Sequence, residues 1–336
     1  MNKSLPFLAL AAALCTGPLF ADNYGGKFRV TGEYLYLKPS VESNYFVQVS
    51  DEEPGQFAVS GRQIQDQFNY ASGYRAEVGY TFCGLGEVSL GYTHLTDSTS
   101  KQIEGEFLTP TLGDDLFDQN YAYYPGTATS HLDVRYKSWG AYYTLPVCAP
   151  SCCDFSLVFG LEYVDIKFKQ LAEFVDSSSE ENLTGQVALT SKTRGMGPIA
   201  GLKIACPVFS FGCDCSHVIT FRGYASAGLF VTRNIGKASA VDIDNSTGEI
   251  DRLYVDLSRK RSSDMTPALF ARFGLSYDYC FKCIDTRWEI GYQLASYYNA
   301  VMRTHMPQSA SASSFSFHRY NNFNLQGLYI SGSLMY

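Results

Sequence analysis

The residues in this 336-residue chain with the most reactive chemistry are its cysteines. Of the ten, Cys15 lies in an N-terminal leader. The rest fall in four clusters: Cys83; Cys148, Cys152 and Cys153; Cys206, Cys213 and Cys215; Cys280 and Cys283. Thiols so grouped either pair as disulfides or hold a metal. Cys280-x-x-Cys283 and Cys213-x-Cys215 with His217 offer the soft ligands zinc takes. They sit in separate segments, however, and an exported chain meets an oxidising compartment, which favours disulfides. All nine are therefore disulfide candidates, no metal or cofactor is expected, and the odd number leaves at least one thiol unpaired or bonded to another molecule.

Catalysis finds little support. There are five histidines, and His94 with Asp97 comes nearest to a working pair at the end of a hairpin. No activated nucleophile or orienting acid accompanies them, so the chain is read as a non-enzyme. Asp242-x-Asp244-Asn245-Ser246-Thr247-Gly248 departs from a calcium loop, its glycine one place late and its closing glutamate missing, and is read as a hairpin turn.

The remaining candidates are charged residues at alternate positions of β-like segments: Arg29, Glu33, Arg75, Glu77, Arg272 and Glu289. Alternation puts them on one face of their strands, opposite an apolar face. Lining the inside of a cylinder, they would form a charged constriction that sets ion preference, or pair with one another and plug a narrow barrel.

The elements that must position them follow one rhythm. Lys3, the apolar run Leu5–Leu14 and the small-residue site at Ala21 mark residues 1–21 as a cleaved export signal. Residues 22–336 show no break in composition and read as one domain. With 25 Tyr, 23 Phe and 29 Gly but only 18% charged residues, the outside of this chain does not look built for water alone. No later run is long and apolar enough for a membrane helix. Net charge is −7 with no basic block, so nucleic acid is not an expected partner.

Ten segments alternate: 28–37, 74–82, 88–93, 132–145, 155–168, 192–205, 218–231, 269–279, 288–294 and 324–336. In the last, Leu328, Ile330, Leu334 and Tyr336 oppose Tyr329, Ser331, Ser333 and Met335. Long polar stretches (96–130, 170–186, 234–264, 298–317) alternate with short turns, and every cysteine cluster lies in or beside a short turn. That is the layout of an all-β, antiparallel up-and-down transmembrane barrel with short periplasmic turns and long outer loops. The predicted number of strands is about ten, or twelve and more if the loops add hairpins around Asp51–Gly55. The strands exceed what a bilayer needs, and the segment from Leu132 changes its apolar face near Ser138, as at a bulge. The expected surroundings are outer-membrane lipid, with the cysteines on an inner rim where they join neighbouring strands, other copies or other envelope proteins.

Gly32-Glu33-Tyr34-Leu35-Tyr36-Leu37-Lys38, Gly73-Tyr74-Arg75-Ala76-Glu77-Val78-Gly79-Tyr80, Leu90-Gly91-Tyr92-Thr93, Gly160-Leu161-Glu162-Tyr163, Gly197-Pro198-Ile199-Ala200-Gly201 and Gln326-Gly327-Leu328-Tyr329 resemble the pore-forming major outer membrane proteins of Legionella and Chlamydiales-type bacteria. The resemblance implies a porin passing small solutes or ions by diffusion. Its chlamydial side implies disulfide cross-linking in the envelope. Ten strands enclose little space, since eight leave an interior filled by side chains. The alternative expectation is therefore a plugged barrel with a structural role, or an adhesin acting through its outer loops.

Overall fold

A computed structural model describes residues 26–336 apart from 43, 51–60, 83–84, 112–123, 148–152, 177–182, 213–216, 282–283 and 306–316. The predicted signal lies outside the described residues. Among those described, all regular structure is β: β1 (Lys27–Val41), β2 (Tyr45–Ser50), β3 (Arg62–Gln65), β4 (Ala71–Phe82), β5 (Gly86–Pro110), β6 (Tyr124–Val147), β7 (Asp154–Asp176), β8 (Leu183–Phe211), β9 (His217–Asp244), β10 (Ile250–Phe281), β11 (Ile284–His305) and β12 (Phe317–Met335).

Ten of these close a ring in the order β1-β4-β5-β6-β7-β8-β9-β10-β11-β12, every neighbour antiparallel. The ten are the ten alternating segments of the sequence. The seam is β1 with β12, paired from Arg29↔Met335 to Val41↔Phe323. It is finished by reciprocal backbone bonds between Phe28 and Tyr336 of 2.8 and 2.9 Å. Closure leaves no open edge, the condition for a sheet to stand in hydrocarbon. β2 and β3, the two short pieces expected around Asp51–Gly55, pair with each other, and β2 pairs with the outer end of β5.

The strands are far longer than the alternation suggested. β8, β9 and β10 have 29, 28 and 32 residues, against roughly 9–11 needed to span a bilayer. Much of what reads as polar loop is strand projecting into water. The β9–β10 connection shrinks to a hairpin turn, in which Gly248 donates its N–H to Asp244 O at 2.7 Å with φ 72°.

The wall changes character along its length. On β7, Leu157, Phe159, Leu161 and Tyr163 point outward and are exposed, and further along the same face stand Asp165, Lys167 and Lys169. The inner face does the reverse: after Glu162 come buried Val164, Ile166 and Phe168. The expected change of face near Ser138 on β6 is therefore no bulge. β6 pairs with β5 in unbroken register from Thr144 to Gly126. Leu132, Val134 and Tyr136 point inward like Ser138 and Tyr142. What changes there is the solvent outside, from hydrocarbon to water. A true irregularity lies in β11, where the register shifts between Tyr297 and Val301 and Asn299 takes φ 58°.

Aromatic belts bound the apolar band. Toward the short turns stand Phe28, Tyr80, Phe82, Phe211, Tyr277 and Tyr336; toward the long strand ends stand Tyr34, Tyr74, Tyr92, Trp139 and Tyr163. Along β4, the eight steps from Tyr74 to Phe82 span ~26 Å of strand at about 3.3 Å each, or about 20 Å of barrel height at a tilt of roughly 35–45°, against the ~25 Å of such a band. Both tryptophans of the chain, Trp139 and Trp288, are on the outer face, 57% and 62% exposed. Lipids brominated on their acyl chains are expected to quench most of the tryptophan emission of the reconstituted protein. Quenching by aqueous acrylamide instead would place that face in water.

Candidate functional site in the barrel lumen

All six charged residues singled out by alternation project into the barrel, and the structure brings them together. Arg29, on β1, donates to Glu77 and Glu87, its Nε lying 3.1 Å from Glu87 Oε1. Glu33 is 4% exposed and is shared by two cations: Arg75, its cross-strand neighbour on β4, at 3.3 Å, and Arg272, from β10, at 2.8 Å. Arg272 also reaches Glu289 at 3.2 Å and lies over the Tyr329 ring, 4.0 Å from its centroid. Tyr329 donates its hydroxyl to Glu289 at 2.5 Å. The ring fits because β10 and β11 meet there at Gly274 and Gly291, where a Cβ would stand 2.7 and 2.6 Å from the Tyr329 hydroxyl.

A third cluster was missed by the sequence reading. Asp278 accepts from Arg222 at 3.1 Å, Arg287 at 2.5 Å and Thr220 at 3.0 Å. Glu87, Glu162 and Lys203 were missed as well. Lys203 donates to Thr144 at 3.2 Å and faces the Tyr224 ring. Each lies on the inward positions of its strand, so the signal was the same alternation. It went unread on β8, whose Gly195, Gly197, Pro198 and Gly201 blur the strand pattern.

These groups line a cavity of about 460 Å³ that runs from Asp154, Ser156 and Ser333 at the short-turn end up to Phe230, Phe270 and Tyr297. Opposite charges pair around it, as desolvated ions must. Beyond it the interior turns apolar. Leu35, Leu37, Leu95, Leu132, Val134, Ile166, Phe168, Val301, Phe323 and Leu325 form one buried cluster with Tyr136, Tyr297 and Tyr329. In a ring of ten strands β6 and β11 are diametrically opposed, yet Tyr136 and Tyr297 join hydroxyl to hydroxyl at 2.7 Å. The β11 irregularity adds to this plug. Ala300, Val301 and Met302 are buried, the Ala300 carbonyl accepts from Thr193, and Met302 N–H donates to Ser191 Oγ at 2.9 Å. Farther out, Phe46 and Val47 of β2 and Ile64 of β3 cluster with Phe174, Val187 and Ala240 from the wall.

The cysteines divide. Cys153 and Cys206 form a disulfide with Cα atoms 4.3 Å apart, tying the start of β7 to β8. Cys280 is the next-to-last residue of β10, its thiol hydrogen-bonded to Asp285, which also pairs with Lys27 at 2.5 Å. Cys83, Cys148, Cys152, Cys213, Cys215 and Cys283 lie outside the described residues. His217, the histidine of the zinc reading, stacks on Phe211 and Tyr279 and bonds the Tyr277 hydroxyl at 2.7 Å. His94 and Asp97 do not meet. His94 packs beside Tyr74 on the outer face of β5, whereas Asp97 is on its inner face.

A closed antiparallel barrel with an apolar belt outside and ion pairs within defines an outer-membrane β-barrel protein. The chain belongs to the family described as Legionella pneumophila major outer membrane protein precursor, which it matches over residues 23–336. Family and fold together place it in the outer membrane. No curated protein is detectably similar in sequence. Among solved structures it is similar to the outer membrane protease OmpT from Escherichia coli, at 13% identity over 92% of this chain and 96% of that one, TM-score 0.42. It is also similar to the Pseudomonas putida toluene transporter TodX, at 11% identity over 94% and 90%, TM-score 0.24.

Glu33 holds two guanidinium groups, so Glu33→Gln leaves both without their shared counter-charge. The expected cost is about 3–5 kcal/mol in urea unfolding from lipid vesicles, the range for breaking a buried pair. Glu289→Gln is expected to cost clearly less, because Arg272 keeps Glu33. Equal losses from the two variants would contradict the shared arrangement.

Proposed function

We propose that this protein is a solute-tight structural barrel of the outer membrane, presenting a long, core-filled cylinder at the cell surface. The observation that carries the reading is the Tyr136–Tyr297 contact across the full diameter of the ring. Most of the plug is made by wall side chains on hydrogen-bonded strands, with Phe68 of the β3–β4 connection packed against Phe168. Interiors of this kind pack to crystal-like density, and emptying one Leu or Phe position costs about 2–5 kcal/mol. A path for solutes would need the side chains that meet across the lumen removed together. The inner rim, where Cys153–Cys206 ties neighbouring strands, is where cross-links to other copies or envelope proteins would form.

A second reading, a narrow porin for small ions, draws on the charge-lined cavity of about 460 Å³ in the inner half of the lumen. In that reading Arg29, Glu33, Arg75, Glu77, Arg272 and Glu289 line the conducting path. Planar-bilayer recording separates the two. The solute-tight barrel gives no discrete conductance steps from the native protein, whereas Tyr136→Ala combined with Tyr297→Ala produces them by removing the contact across the lumen. Regular steps from the native protein, unchanged by the double substitution, would establish the porin instead. Extraction without reductant tests the cross-linking: disulfide-linked multimers are expected, and a clean monomer would remove that part of the role.

A further inference from the structure

Among the described residues, the outer face carries a cluster of cations across β6–β9, directly above the lipid-facing band. Across β6, β7 and β8 the last apolar row is Trp139, Tyr163 and Met196, which are cross-strand partners. One step up the same face the row reads Lys137, Asp165, Arg194 and, on β9, Arg233. One step further it reads Arg135, Lys167 and Lys192. Asp165 is the carboxylate among these seven, shared by Arg194 at 3.0 Å and Arg135 at 3.9 Å.

Arg135 faces Lys167, Lys167 faces Lys192, and Arg194 faces Arg233. Like charges directly opposite across strands repel at a Cβ separation of about 4.5–5.5 Å. Burial, then the neighbouring Lys169, Arg135 and Lys192, push the Lys167 ammonium below its ordinary pKa. The far wall is different. There the positions that follow the apolar row are Ser72, Lys38, Gln326 and Ser296. A chain of net charge −7 thus concentrates cations in one place, at a cost to its own folding, at the height where headgroups meet the protein.

We propose that this patch is a binding site for a phosphorylated lipid of the outer leaflet, its acyl chains against Trp139, Tyr163 and Met196 and its phosphates on Arg135, Lys167 and Lys192. An anion bridging these three cations turns mutual repulsion into attraction. The height selects a lipid, since a ligand seated there has hydrocarbon immediately below it.

The test uses the full-length protein in phosphatidylcholine nanodiscs containing diphosphoryl lipid A or the same lipid stripped of its phosphates. Diphosphoryl lipid A is expected to bind and to raise the unfolding temperature; the stripped lipid is not. Lys167→Gln combined with Lys192→Gln is expected to weaken lipid A binding about 30-fold, two surface charges' worth, whereas Lys38→Gln on the far wall leaves it intact. In phosphatidylcholine alone the double variant unfolds no earlier than the native protein, because a repulsive contact has gone. Equal stabilisation by both lipids would overturn the proposal. So would equal affinity of native protein and double variant, or a matching loss at Lys38. Displacement of lipid A by millimolar inorganic pyrophosphate would reassign the patch to a soluble anion.

Discussion

The solvent against the outside of the wall changes partway along the long strands of the ring, and the rest of the molecule follows from that. In hydrocarbon, each backbone N–H and C=O must find its partner within the protein, so the ring closes through β1 and β12 without an edge. Apolar side chains there point outward to lipid, and the polar partners of the alternation are left to face one another inside. Above the membrane the outside is water. The apolar residues of the same alternating strands then turn inward to escape it, as Leu132, Val134 and Tyr136 do on β6. A charged inner half and an outer half packed mainly with apolar side chains, among which Arg303 bonds Gln170 at 2.8 Å, are thus one wall seen against two solvents.

The two halves of the interior also support each other. Buried charges are tolerated only when paired and hydrogen-bonded, and the lumen pairs them around Arg29, Glu33 and Asp278. The apolar core above excludes water from one end, and the Tyr136–Tyr297 bond spans the ring at the junction. Tyr329 belongs to both: its ring is in the apolar cluster while its hydroxyl caps Glu289. The outer surface shows the same change of solvent, with charged residues replacing aromatics: Lys137 and Asp165 stand one step above Trp139 and Tyr163, and Arg135 and Lys167 one step further.

Much of this was legible in the sequence because alternation is local. The ten segments of the ring and the inward direction of Arg29, Glu33, Arg75, Glu77, Arg272 and Glu289 follow from period two, the antiparallel order from the rhythm of long and short connections, and the two short pieces that became β2 and β3 from the turn signal at Asp51–Gly55. Strand length was not legible. Beyond the bilayer the outward face is polar, and stretches such as 170–176 and 234–244 resemble loops when read for greasy lipid-facing rows. The apparent change of face near Ser138 had the same origin, a change of solvent read as a change of direction. Contacts across the lumen were out of reach, because Tyr136 and Tyr297 meet only once the ring has closed. The displaced register of β11 at Tyr297–Val301 carries no glycine or proline to announce it.

The claim that the outer half of the lumen is dry is tested most directly by hydroxyl-radical footprinting, with radicals generated by X-rays from water already in place around the native protein in nanodiscs. Tyr136, Tyr297 and Phe323, all buried, should remain unoxidised while the exposed Tyr70 is modified. Oxidation of the three at a rate comparable with Tyr70 would mean that water stands in the lumen at that level, and that the barrel is open where this account has it closed.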